Sequence, residues 1–189
     1  MGIPSGYTSG QVVQAVPTGI NSAFVYITGA SFTSATTISM AAGVFTSTYK
    51  TYQVIFQVNS GSDCQISVRV NNAGTPRTSA DYAFSSVRNS FNTDSQITKA
   101  PQGTSMNLSA STSGNLAQAN LKVMVYDPMN ASTKTKIQST GVGANDSNEV
   151  GLVDAGGVYN AAAEANDGLT FIAGAAVTGF YRVYALSES

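Results

Sequence analysis

The sequence predicts an all-β fold: an antiparallel, jelly-roll-like β-sandwich of about eight to ten short strands with an extended N-terminal arm. Three observations carry that expectation. Short runs alternate apolar and polar residues, and a period of two sends one set of side chains to a core face and the other outward. Turn-forming residues punctuate these runs about every 8–15 positions, the spacing of a sandwich or barrel. Helical periodicity is weak throughout, and the one candidate, 159–165, is short enough for a single turn.

Taken in order, residues 1–20 are rich in Gly, Pro, Gln and Ser with scattered Val, and read as an extended arm ending near Pro17. The sandwich domain is expected over 21–189. Phe24-Val25-Tyr26-Ile27 is a short β-rich run. Tyr52, Val54, Phe56 and Val58 alternate with Gln53, Ile55 and Gln57. Ile66, Val68 and Val70 alternate with Gln65, Ser67 and Arg69, and Asn59-Ser60-Gly61-Ser62-Asp63 between the two runs has hairpin spacing. The stretch 71–76 is a turn. Leu121, Val123 and Val125 alternate with Lys122, Met124 and Tyr126, and Asp127-Pro128 stops that strand because proline cannot donate to a ladder. Gly156-Gly157 and Asn166-Asp167-Gly168 read as further breaks. The runs 169–173 and 180–186 read as two closing strands. No internal repeat is evident, which removes propellers and solenoids.

The composition narrows the chemistry. The chain has 189 residues with nine basic and ten acidic side chains, a net charge of -1, no His, no Trp and one Cys. Without His there is no Ser-His-Asp or Cys-His catalysis within the chain and no His-ligated metal. One Cys closes no internal disulfide and holds no structural zinc or iron–sulfur cluster. A charge near zero argues against nucleic acid, which demands a basic patch. No run approaches the ~20 apolar residues of a membrane-spanning helix, and the N-terminus lacks the basic and apolar blocks of a secretory signal. Ser (24) and Thr (20) make almost a quarter of the chain, so hydroxyls and amides cover the surface where Lys and Glu are usual. Near-zero charge favours association over mutual repulsion, which suits a protein living inside an assembly.

Each candidate site has a plainer alternative. The acids, among them Asp63, Asp127, Asp154 and Asp167, lie in turn-like stretches with no pairing across a substrate, where they cap the backbone or face water. Asn145-Asp146-Ser147-Asn148-Glu149 is dense in oxygen ligands but lacks the spacing and central Gly of a calcium loop, and reads as a hairpin tip. Cys64 reads as a small strand residue with no activating His. Gly6-Tyr7-Thr8-Ser9-Gly10-Gln11 lacks the Lys and the helix of a phosphate cradle. Catalytic residues, cofactors and metals are therefore expected to be absent. Of the nine Tyr, most fall in or beside strands; Tyr82, with Asn145, Asp146 and Asn148, marks the loops that could face a glycan.

One stretch carries a resemblance. Phe45-Thr46-Ser47-Thr48-Tyr49-Lys50-Thr51-Tyr52-Gln53-Val54 resembles a run of small tailed-bacteriophage virion proteins. Ile66-Ser67-Val68-Arg69-Val70, then Ala80-Asp81-Tyr82, then Gly179-Phe180-Tyr181-Arg182-Val183-Tyr184 follow in the order such proteins show, so the likeness covers about residues 31–186. It implies a jelly-roll-like sandwich on the outer surface of the virion, as a capsid cement or decoration protein. A receptor-binding head of a tail or fibre that recognises host glycan is the alternative. The expected partners are a second and third copy in a homotrimer, with a dimer next, and the major capsid protein or another virion protein, with a host glycan on the alternative reading and no nucleic acid or membrane. An extended arm can add a strand to a neighbour's sheet edge, with Val12, Val13 and Val16 as its anchors.

Overall fold

The alternating runs become strands, and several extend well beyond the pattern that predicted them. In a computed structural model, residues 24–90, 96–109, 116–145, 150–161 and 164–187 are described. The expected arm, including Val12, Val13 and Val16, lies outside the described residues. The strands are β1 (Phe24–Ser39), β2 (Thr51–Cys64), β3 (Ile66–Asn72), β4 (Thr75–Pro76), β5 (Tyr82–Ser90) and β6 (Gln96–Gly103). They continue with β7 (Met106–Asn107), β8 (Leu116–Tyr126), β9 (Lys136–Ala144), β10 (Val150–Tyr159) and β11 (Gly168–Leu186). All pair antiparallel in one sheet, in the order β4-β3-β11-β2-β8-β9-β10-β5-β6, with β1 also on β11 and β7 on β3. The all-β, antiparallel, sandwich-like architecture expected from the sequence is the one observed. It is built from a single hydrogen-bonded sheet that curls on itself.

β11 makes this possible. Its 19 residues meet β3 over 168–173 and β2 over 178–185, while β1 follows its other edge along both halves. The runs 169–173 and 180–186 are thus one strand, where the sequence suggested two. The hairpin expected at 59–63 is also absent. β2 and β3 run on in one direction along β11, and exposed Gly61 and Ser62 bulge out between them. The register between β2 and β8 slips at the same place. The 71–76 turn is a tight β3–β4 hairpin, with Ala73 (φ 49) and Gly74 (φ 73) both left-handed. The carboxylate of Asp167 accepts the Gly74 amide there at 3.1 Å. Gly156-Gly157 is no break but the interior of β10. Among the described residues of 159–165 there is no helix, and Tyr159 ends β10.

The inward sets of β2, β8, β11 and β3 form one core: Tyr52, Val54, Phe56 and Val58; Ala119, Leu121, Val123 and Val125; Leu169, Phe171, Val183 and Ala185; Ile66, Val68 and Val70. Phe56 and Phe171 stack at 4.1 Å, joining the part of the sheet built on β2 to the part built on β3. The aromatic run leading into β2 is a packing device. Phe45 lies 4.5 Å and Tyr49 6.1 Å from the Tyr52 ring. The Tyr52 hydroxyl accepts from the Thr46 amide and donates to the Thr46 carbonyl.

A second tyrosine closes the curl. Tyr82 of β5 is buried, and its hydroxyl accepts from the Val70 amide of β3 at 3.0 Å and donates to the Arg77 carbonyl at 3.1 Å. Strands near opposite ends of the sheet order are thereby tied together. The sequence places Tyr82 in a glycan-facing loop. The structure corrects this, because Tyr82 opens a strand and takes an inward position on it. Removing this hydroxyl leaves a buried amide and a carbonyl without their partner. Tyr82→Phe is expected to lower stability by about 1–3 kcal/mol, read as a lower urea midpoint with an unchanged slope. An unchanged midpoint would show that the tie contributes nothing.

Candidate functional site

The outer face of the sheet is the largest organised surface. Because strands β1, β11, β2, β8, β9, β10, β5 and β6 pair in that order, outward residues line up in rows. One row runs Tyr26, Tyr184, Gln53, Met124, Gln138, Gly156, Ser85 and Lys99. At ~4.8 Å per strand it extends about 34 Å along the curled sheet. The adjacent row runs Arg182, Ile55, Lys122, Thr140, Asp154, Val87 and Ile97. Polar and apolar side chains mix along both rows, and the charges stand apart from one another.

Aromatic side chains gather at one end. A depression of about 650 Å³ is lined by Tyr26, Gly29, Phe180, Tyr181, Arg182 and Tyr184, among others, from β1 and β11. Tyr26 is 58% exposed and meets Tyr184 edge-on at 5.7 Å. The Arg182 guanidinium carbon sits 5.3 Å from the Phe180 ring centroid, within cation–π range. Rings held open to solvent beside amide side chains can stack on a sugar and hydrogen-bond its hydroxyls. The other end of the face carries exposed apolar side chains among its polar ones. Leu152 of β10 is 62% exposed opposite Val142 of β9, and Ile97 of β6 lies opposite Val87 of β5. Exposed apolar groups on β9, β10 and β6, with half-buried Val87 between them, mark a surface suited to association.

Two of the edge strands, β6 and β1, differ. β6 carries Lys99 and Pro101, both of which discourage strand addition. β1 runs for 16 residues with no charge and no proline, and pairs among the described residues with β11 alone. Register slips near Ile27 and Ser34 bend it but leave 28–32 in regular pairing.

Chemically reactive groups are scattered. Among the described residues no three His, Cys, Asp or Glu side chains group as a metal site. Cys64 is buried at the end of β2. Asp167 accepts the amides of Gly43 and Gly74, a backbone cap. Glu164 pairs with Arg77 and accepts the Tyr159 hydroxyl at 2.9 Å, with the Tyr159 ring 4.9 Å from that of Tyr82. Burial pushes the Tyr82 hydroxyl well above the usual tyrosine range, with the Val70 amide opposing it. Burial, helped by the nearby Glu164 carboxylate, raises Tyr159. Burial, then the neighbouring Tyr26, raises Tyr181.

Of the expected glycan-facing residues, Tyr82 belongs to the core and Asn145 is half-buried just beyond β9, while Asp146 and Asn148 lie outside the described residues. The stretches that follow those marker residues, 82–90 and 150–159, are strands. The structure instead brings Tyr26, Tyr184, Phe180 and Arg182 together. In sequence these are ordinary strand residues, and only their period-two offset from Tyr181 and Val183 marks Phe180, Arg182 and Tyr184 as outward. No family description, curated protein or solved structure matches the chain.

Three tyrosines with raised pKa values hold their protons more tightly in the folded state. That stability is fully present below the unfolded tyrosine pKa of about 10 and is lost as pH climbs above it. A titration monitored by phenolate absorbance is expected to show Tyr82 ionising only together with unfolding, and the melting temperature falling above pH ~10. Reversible ionisation of every tyrosine in a still-folded protein would contradict the burial.

Proposed function

We propose that the chain is a non-enzymatic structural protein of a tailed-bacteriophage particle, a cement or decoration protein that docks on the outer surface of the capsid and strengthens it. The observation that carries this reading is the contrast between the sheet edges. β6 is guarded by Lys99 and Pro101, and β1 presents its main chain with no charge to keep a strand away. The proposed occupant of that edge is the arm, residues 1–20, of a neighbouring copy. The arm adjoins β1 in sequence and carries Val12, Val13 and Val16 as apolar anchors. Passing an arm from each copy to the next closes a ring of copies, a homotrimer on this reading, with a dimer by reciprocal exchange next. The exposed apolar side chains of the outer face, Val142, Leu152 and Ile97, are the proposed seat on the major capsid protein. With nine basic and ten acidic residues in the chain, such contacts are apolar and main-chain in character rather than ionic.

Deleting residues 2–17 is expected to convert the oligomer to monomer in light scattering and to cut the copies bound per particle by about tenfold or more, the loss of strand addition. An unchanged oligomer with unchanged occupancy would remove the arm from the account. Washing particles in about 1 M NaCl, where exposed charges are screened beyond roughly 3 Å, is expected to leave the protein attached. Release from intact particles would contradict apolar docking.

One further observation favours a second reading. The rings of Tyr26 and Tyr184, next to Arg182 on Phe180 and in register with Gln53, suit a receptor-binding head that holds a neutral host glycan. On that reading, Tyr26→Ala combined with Tyr184→Ala abolishes binding on a glycan array while the urea midpoint moves little. A wild-type protein that binds no glycan removes the reading.

A further inference from the structure

The interior of the sheet holds a cation that no described residue balances. Arg88 alternates along β5 with outward Val87 and Asn89, so its side chain enters the core side, where it is 4% exposed. Its Nε and Nη2 atoms are buried and have no hydrogen-bond partner among the described residues. A buried guanidinium without a partner is costly enough that folds normally pair it or surround it with acceptors.

Both unpartnered nitrogens belong to one edge of the group. Nε–H and the Nη2 hydrogens form the side-on fork that matches two oxygens of a carboxylate or phosphate. The surrounding strands make room for that fork. A methyl group on Gly151 of β10 would sit 3.1 Å from Arg88 Nε and 3.4 Å from its Cγ, so the side chain lies across Gly151. Gly143 of β9 stands opposite Gly151, which extends the side-chain-free floor by one strand. The same inward side also carries the hydroxyls of Ser86 and Ser139, on either side of Ala155, and both lack a partner among the described residues.

We infer that the Arg88 fork is a receptor for a two-oxygen anion, a carboxylate or phosphate group, supplied from outside the chain. The site is separate from the outer face and the β1 edge, and does not depend on the docking proposed for them.

Titrating sodium acetate and inorganic phosphate, against sodium chloride at matched ionic strength, tests this in the full chain. At least one of the two oxyanions is expected to raise the melting temperature saturably and to move the Arg88 Nε–Hε resonance in nitrogen–proton spectra. Arg88→Met keeps the stem, removes the charge and is expected to fold and lose the response. Arg88→Lys keeps the charge without the fork and is expected to bind about tenfold more weakly or worse. Chloride matching both oxyanions, or an undiminished response in Arg88→Met, would overturn the inference. Asp94, Asp146 and Glu149 lie in the sequence connectors adjoining β5, β9 and β10, and are the rival source of the carboxylate. Asp94→Asn, Asp146→Asn and Glu149→Gln should each leave the response to added anion in place. A loss of stability from any one of them that vanishes in the Arg88→Met background would show that the chain fills its own fork, and would also overturn the inference.

Discussion

The fold depends on one long strand being shared. β11 gives its first half to β3 and its second half to β2, with β1 along its other edge throughout. A strand used this way forces the sheet to bend where its partners change. Register slips in β1 and the bulge between β2 and β3 absorb that bend. Once bent, the sheet covers its own apolar face. Phe56 and Phe171 then meet ring on ring, and the Tyr82 hydroxyl ties β5 to β3. The core is therefore a consequence of β11, and needs neither a disulfide nor a second sheet.

Curling also decides what is left outside. The outward rows of eight strands become one continuous face, with aromatic side chains at the β1–β11 end and exposed Val142, Leu152 and Ile97 at the β9–β6 end. An open curl, unlike a closed barrel, retains edges, and the chain treats the β6 and β1 edges differently. Lys99 and Pro101 protect β6, and nothing comparable protects β1. Low charge acts in the same direction, since few side chains are present to repel a neighbour at either surface. Edge, exposed apolar side chains and neutral surface thus all suit the attachment proposed above.

The strands legible in the sequence are those whose inward positions are large and apolar. In β2, β3 and β8 the alternation of Val, Ile, Leu and Phe with Gln, Ser and Lys is clear, and each predicted run falls inside its observed strand. β9 and β10 are invisible for the opposite reason. Beside Ile137, Val153 and Tyr159 their inward positions hold Ser139, Gly141, Gly143, Gly151 and Ala155, while Val142 and Leu152 point outward, so the apolar period is weak. β5 hides in the same way, with Ser86 and Arg88 inside, and Tyr82 consequently reads as a loop residue. The aromatic outer cluster is equally hidden, because sequence periodicity does not say which of two faces a sheet will curl around.

On this account the outer edge of β1, which no described strand pairs, is completed by a strand from a neighbour on a virion surface. Imaging purified particles at a resolution that traces the main chain tests it most directly. The expected result is many copies arrayed over the capsid, each with an added strand hydrogen-bonded along the outer edge of β1. Particles that lack the protein, or that carry it with the β1 edge open to solvent, would contradict it.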